Sequence, residues 1–295
     1  MCPDTLTKPI VVAVDGSPHS NAAVAWAARE CSLRQAPVTL VHVITPNLQT
    51  WGKSAPQHDV DRWYRDNAKV ILADAEATFR AAQDDSRGVH AETVLVESSV
   101  VPAVIEISDQ AQLVVVGSRG LGHLGRLVLG SVSTGLIHHA HCPVAVIPYD
   151  EKRELPKPDH PVLLGIDGSV ASEGATALAF DEASRRGVDL VALHAWSDVG
   201  IPPLFITDWW HRLQTEAREL LAERLAGWQE KYPDVHVDRR VVCDVPSHAL
   251  VAESRVAQLV VVGSRGRGGF PGMLLGSVGS AVAHASEAPV IVVRD

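Results

Sequence analysis

The sequence predicts an α/β protein made of two tandem domains, each an open five-stranded parallel sheet with helices on both faces. Three observations carry this expectation. The string AQLVVVGSRG stands at Ala111–Gly120 and again at Ala257–Gly266, an offset of 146 residues. In both copies short β-branched apolar runs alternate with longer helical stretches, the rhythm of parallel strands joined by right-handed crossovers. A glycine-rich segment follows a strand in each copy, GSRGLGHLGRLVLGSVS from Gly117 and GSRGRGGFPGMLLGSVGS from Gly263. Sheets of this kind bind ligands beyond the carboxyl ends of their strands.

The elements of the first copy follow in order. Ile10–Val14 and Val38–Ile44 are β-branched and apolar on both faces, as buried parallel strands are. Between and after them, Ala22–Arg34 and Val60–Ala82 carry Ala, Arg, Glu and Leu at three-to-four spacing, which predicts helices. Thr93–Val96, Leu113–Val116 and Val144–Ile147 supply three more strands. The second copy repeats the pattern: VVAVDGS at Val11–Ser17 matches LLGIDGS at Leu163–Ser169, now offset by 152, and the extra residues of the first copy fall between Val43 and Trp63. YDEKRELPKPDHP, from Tyr149 to Pro161, is charged and proline-rich, which favours an exposed connection. The expected organisation is a domain over 1–150, a linker over 151–160 and a domain over 161–295.

Bulk composition excludes several classes. The chain is 46% hydrophobic and 21% charged, ordinary for a globular protein. A net charge of −9 argues against a nucleic-acid binder, which needs a basic surface. No apolar run is long enough for a membrane span, and MCPDTLTKP has no secretory apolar core. Cys2, Cys31, Cys142 and Cys243 form no C-x-x-C pair. That suggests reduced thiols and a cytoplasmic setting.

The glycine segments bear on function. Neither has the lysine of a Walker A loop. Gly120-Leu121-Gly122-His123-Leu124-Gly125 fits the dinucleotide fingerprint, but the second copy breaks it and no acid follows to hold a ribose. Both copies keep Gly117-x-x-Gly120 with Gly130-Ser131, and Gly263-x-x-Gly266 with Gly276-Ser277. Glycines let the backbone approach a phosphate and form an anion-binding nest. Gly130-Ser131-Val132 and Gly276-Ser277-Val278 open a helix whose N–H groups and dipole favour anions. The windows Gln110–Tyr149 and Ser254–Ser286 hold no acid, while Arg119, His123, Arg126 (just before Leu127), Arg265 and Arg267 add positive charge. A chain-reversing glycine turn is the plain alternative. Asp15 and Asp167 lie on the same rim, suited to a ribose, a base or Mg²⁺; the other reading is that each caps the next helix.

The pattern G-x2-G-x9-G-[ST] resembles the nucleotide-binding signature of the universal stress protein family, in its ATP-binding branch. The resemblance extends to VDGS and IDGS, to GSV, and to HCPVAVI and EAPVIVV as final strands, and it covers both halves. It implies Rossmann-like (adenine nucleotide alpha hydrolase-like) domains, with ATP, with or without Mg²⁺, in each half. The site residues it implies in the first half are Ala13, Asp15 and Val43, then Gly117, Ser118, Arg119, Gly120, Leu121, Gly122 and His123, and Gly130, Ser131, Val132 and Ser133. In the second half they are Gly165, Asp167 and Ala195, then Gly263, Ser264, Arg265, Gly266, Arg267, Gly268 and Gly269, and Gly276, Ser277, Val278 and Gly279. Val43 and Ala195 would meet adenine through their backbone. Ala13 stands where the second copy has Gly165, so its methyl is expected to crowd the adenosine. Alanine at Gly117 or Gly263 is expected to push a methyl toward the phosphates.

The resemblance also implies a regulatory protein of the stress or growth-arrest response, without catalytic residues and acting on a protein partner. A slow ATPase or nucleotide-transferring enzyme is the alternative. Pro143–Ile147 and Pro289–Val293 are expected to pair within the chain, since an apolar edge strand wants a partner, leaving room for homodimers. Elsewhere, His42 and His194 read as buried, hydrogen-bonded residues. HHAHC would bring His138 and His141 to one helix face as a weak zinc candidate, and Cys142 reads as buried. Trp63-Tyr64 and Trp209-Trp210 read as packing or lid anchors.

Overall fold

The computed structural model describes residues 8–45, 57–83, 89–120, 129–151, 156–196, 207–266 and 276–294. The chain divides into two compact units, Met1–Tyr149 and Asp150–Asp295. The first unit runs β1 (Ile10–Ala13), α1 (Pro18–Arg34), β2 (Val38–Ile44), α2 (Gln57–Ala82), β3 (Ala91–Glu97), α3 (Val100–Ser108), β4 (Leu113–Gly117), α4 (Ser131–His139) and β5 (Val144–Ile147). All its strand pairs are parallel, in the order β3-β2-β1-β4-β5.

That order follows from chain direction and handedness. The chain steps outward from β1 to β3, then returns across the sheet to β4 and β5. Right-handed crossovers put helices made in opposite directions on opposite faces. Accordingly α1 packs on α2, and α3 packs on α4. The reversal lies between β1 and β4, so the helices that follow them diverge there and leave a crevice at the strand ends. Val12 and Val115, one on each side of this point, are fully buried.

Local chemistry sets the helix starts. α1 begins at Pro18 rather than Ala22, because Ser17 caps it by accepting the Ser20 N–H at 3.2 Å and proline fits the first helical position. The second unit runs β6 (Val162–Gly165), α5 (Glu173–Arg186), β7 (Leu190–Trp196), α6 (Thr207–Lys231), β8 (Val237–Cys243), α7 (Pro246–Glu253), β9 (Leu259–Gly263), α8 (Ser277–Ala285) and β10 (Val290–Val293). Its parallel strands are ordered β10-β9-β6-β7-β8. Here Val170 and Ala171 replace the capping proline turn, and a short 3₁₀ turn over Val170–Ser172 precedes α5. Each unit buries an intrahelical ion pair, Glu30–Arg34 in α1 and Glu182–Arg186 in α5. Removing one member of such a pair would leave the other charge buried and uncompensated.

Two sequence expectations change. Trp63 is 61% exposed and meets Tyr64 edge-on at 5.1 Å, so it packs into no core; the Trp209 and Trp210 side chains lie outside the described residues. α4 ends at His139, and the His141 N–H instead bonds the Ser108 hydroxyl at 2.8 Å. His138 and His141 therefore do not share a helix face. Cys142 is buried, and burial pushes its thiol up to about 12. No described helix is long and apolar enough to cross a membrane.

Candidate functional site

At the crevice each unit makes the same turn. β1 and β6 end two residues before their aspartates. Asp15 Oδ1 accepts the Ser17 N–H at 2.9 Å; Asp167 Oδ1 accepts the Ser169 N–H at 2.9 Å and the Ser169 hydroxyl at 2.7 Å. Between them Gly16 and Gly168 take φ of 80° and 74°, left-handed values that glycine alone adopts without strain. The turn folds each carboxylate over the head of the glycine segment. A β-carbon at Gly120 would run into Asp15 Oδ2, and one at Gly266 into Asp167 Oδ2. Ser17, not Asp15, caps α1, so the aspartate is left to shape the turn and face the crevice.

The glycine segments are closed at their bases. The Ser118 N–H donates to Ile147 O at 2.8 Å, and the Gly130 N–H returns to Ser118 O at 2.8 Å. In the second unit Ser264 N–H to Val293 O is 2.7 Å and Gly276 N–H to Ser264 O is 2.6 Å. α4 and α8 then start from Gly130 and Gly276 without a capping side chain. Their first-turn N–H groups and positive dipole ends are thus presented beside the closed loop. Ser131 and Ser277 are exposed at these ends. Leu121, Gly122, His123, Arg126 and Leu127, with Arg267, Gly268 and Gly269, lie outside the described residues.

In the first unit these parts enclose a cavity of about 350 Å³. Ala13, Asp15, Val43, Gly117, Arg119, Gly120 and Gly130–Ser133 all line it. Ser118 does not: its hydroxyl lies 3.2 Å from His19 Nδ1, beneath the loop. Ser264 is buried likewise. Ser133 spends its hydroxyl on Gly117 O at 2.7 Å, tying α4 to β4; Gly279, at the matching place, has none to offer. Sequence reasoning missed Val100 and Val104, which form an apolar wall from α3. Their i, i+4 spacing on one helix was the available signal.

Ala13 proves to be half of an exchange of volume. A β-carbon on Gly165 would sit 2.8 Å from Leu250 Cδ1 and 3.1 Å from Val262 Cγ1. The repeat sets Val104 opposite Leu250, so the carbon gained at Ala13 is lost from the neighbouring wall residue. The Gly117 expectation changes too. Its added β-carbon would lie 2.7 Å from the His19 carbonyl carbon and oxygen, so the methyl meets the first turn of α1 rather than the crevice. At Gly263 the nearest atoms are Arg265 O at 3.1 Å and Ala171 O at 3.2 Å.

The histidines divide by role. His42 Nδ1 lies 2.7 Å from Val14 O, and His194 Nδ1 2.8 Å from Ile166 O. A carbonyl only accepts, so Nδ1–H donates in both; these residues fasten the second strand to the turn after the first. His19 is half-buried, edge-on to Tyr149 at 5.3 Å. Burial, and then the Arg119 charge, pull it below its ordinary value, with Asp15 opposing. Folding therefore disfavours its charged form. Stability is expected to fall as pH drops through 6.5, the value the unfolded histidine keeps, with the loss complete below the folded value. The slope of melting temperature against pH between 7.5 and 5.5 should be shallower in His19→Asn than in the parent chain; equal slopes would refute this. Among the described residues no cluster of His, Cys, Asp or Glu is placed to hold a metal ion.

A model of the universal stress protein family matches residues 7–148 and 160–294. Universal stress protein Rv2005c of Mycobacterium tuberculosis is 52% identical over 97% of this chain and 96% of its own length. Universal stress protein Rv2623 of the same organism is 50% identical, also covering 97% and 96%. Among solved structures, a universal stress protein from Archaeoglobus fulgidus superposes with a TM-score of 0.70 at 23% identity, covering 98% of each chain. At that identity the likeness speaks for the fold.

Proposed function

Because the chain belongs to the universal stress protein family, we propose that it binds ATP in each half and acts as a nucleotide-dependent regulator, not as an enzyme. One observation carries the reading: a carboxylate, an uncapped helix N-terminus and apolar side chains line one cavity in the first unit. Its volume falls in the range of small-molecule sites.

Adenine fits against Val104 and the backbone of Val43, and the Asp15 carboxylate accepts from ribose hydroxyls. The phosphates lie on the N–H groups of Ser131–Ser133, with Arg119 and the backbone of Gly117–Gly120 beside them. Mg²⁺, if it accompanies ATP, screens the phosphates from Asp15. In the second unit Asp167, Gly263–Gly266 and Gly276–Gly279 take the same roles. The regulatory side of the reading rests on the acid supply. Asp15 is the sole carboxylate among the described cavity residues and already holds its turn, so no second acid is at hand as a general base. The proposal places the protein in the cytoplasm, passing nucleotide occupancy to a partner protein under stress.

The test is to unfold freshly purified protein and identify the released nucleotide by mass spectrometry. The expected result is ATP in each half. Absence of nucleotide, together with no rise in melting temperature on adding Mg-ATP, overturns the proposal. Rapid phosphate release from added ATP would favour the enzymatic alternative.

A further inference from the structure

We propose that Arg294 makes the second half selective for the terminal phosphate of a nucleoside triphosphate, a property the first half lacks. The inference rests on the ATP reading above and adds a residue outside the glycine segment, its helix and the aspartate turn.

Arg294 directly follows β10. The residue before it, Val293, accepts the Ser264 N–H at 2.7 Å, so Arg294 emerges beside the base of the second glycine segment. Its Nη1 is buried and has no hydrogen-bond partner among the described residues. A guanidinium donor enclosed and unsatisfied is costly, and it asks for an acceptor. The neighbouring charge is of the same sign: burial and Arg265 both disfavour charge on Arg294. An anion taken up beside Arg294 would supply the missing acceptor and offset that repulsion. No acid stands between Ser254 and Ser286 to play that part within the segment.

Strand order says which part of a ligand would reach there. Ala195 ends β7, Asp167 follows β6, the glycine segment follows β9, and Arg294 follows β10. These strands are neighbours in that sequence, β7-β6-β9-β10. A nucleotide with its base on β7 and its ribose at Asp167 crosses β9 with its phosphates, and its far end arrives at β10. A monophosphate ends too soon. Arginine's planar fork suits a phosphate with two or three free oxygens.

In the first half the matching residue is Pro148, which offers no donor. The corner there is occupied by Tyr149 against His19. The two halves therefore share a cradle and differ at its end.

The experiment titrates the full-length protein with ATP and with AMP by isothermal calorimetry, for the parent chain, Arg294→Gln and Arg294→Lys. In Arg294→Gln one ATP site is expected to weaken roughly tenfold or more, while AMP binding stays unchanged and the first-half site serves as internal control. Arg294→Lys, which keeps the charge but not the fork, is expected to lose part of the preference for ATP over AMP. It also carries the test should Arg294→Gln fail to fold. Undiminished ATP affinity in Arg294→Gln, equal losses for ATP and AMP, or a full parental preference in Arg294→Lys would each overturn the role of Arg294 while leaving ATP binding in place. A parent chain that binds neither nucleotide would overturn both readings together.

Discussion

Replacing Gly165 with alanine is expected to destabilise the second unit by about 1–3 kcal/mol, and adding Leu250→Val is expected to recover most of that loss. The new β-carbon would stand 2.8 Å from Leu250 Cδ1, closer than packed carbons tolerate, and 3.1 Å from Val262 Cγ1, a tight contact. β6 is hydrogen-bonded on both sides, to β7 and β9, so its backbone is not free to retreat. Shortening Leu250 gives the methyl its space and reproduces the Ala13–Val104 pair of the first unit. Urea denaturation of the two single variants and the double variant measures the coupling, expected at about 0.5–3 kcal/mol. Strict additivity would show that the two positions do not share a wall. The same logic separates two accounts of Ala13. If its methyl crowds the ligand, Ala13→Gly tightens ATP binding in the first half. Complementary packing against Val104 expects no gain and a small loss of stability.

Gly117→Ala is expected to be the more damaging of the two matched glycine substitutions, costing about 1–3 kcal/mol and weakening ATP in the first half roughly tenfold or more. The β-carbon would fall 2.7 Å from the His19 carbonyl, which is backbone and cannot rotate aside. The first turn of α1 must then shift, and the turn that holds Asp15 precedes it directly. At Gly263 the closest approaches, 3.1 Å and 3.2 Å, ask for a few tenths of an ångström. Its penalty is expected to stay below about 1 kcal/mol. Thermal unfolding with and without ATP compares the pair. Equal losses at the two glycines would mean that the contact with α1 does not govern the effect.

The legible features were those with a local cause. The duplication is written in identical strings, the central strands in unbroken β-branched runs, and the turns in Asp-Gly-Ser. The line from Asp15 through Gly120 to Gly130 was readable for the same reason: each residue type answers a need within a few residues of itself. Ser118 and Ser133 were less readable. A serine beside a glycine segment looks like a phosphate donor, yet one hydroxyl faces His19 and the other Gly117 O, and both partners lie far along the chain. HHAHC suggested a shared helix face because nothing local announces that α4 stops at His139; the Ser108 hydroxyl that takes the His141 N–H comes from α3.

By itself, then, the sequence determined the repeat, the alternation of parallel strands and helices, and the glycine, serine and aspartate positions at the strand ends, since periodicity and backbone conformation are properties of neighbouring residues. Only the tertiary structure decided that Val100 and Val104 wall the cavity, that Ala13 and Gly165 are balanced by Val104 and Leu250, that Gly117 is small for the sake of α1, and that Arg294 stands at the base of the second glycine segment. Each of these is a contact between residues distant along the chain, and packing distances and buried charge come into being only when the folded chain brings such residues together.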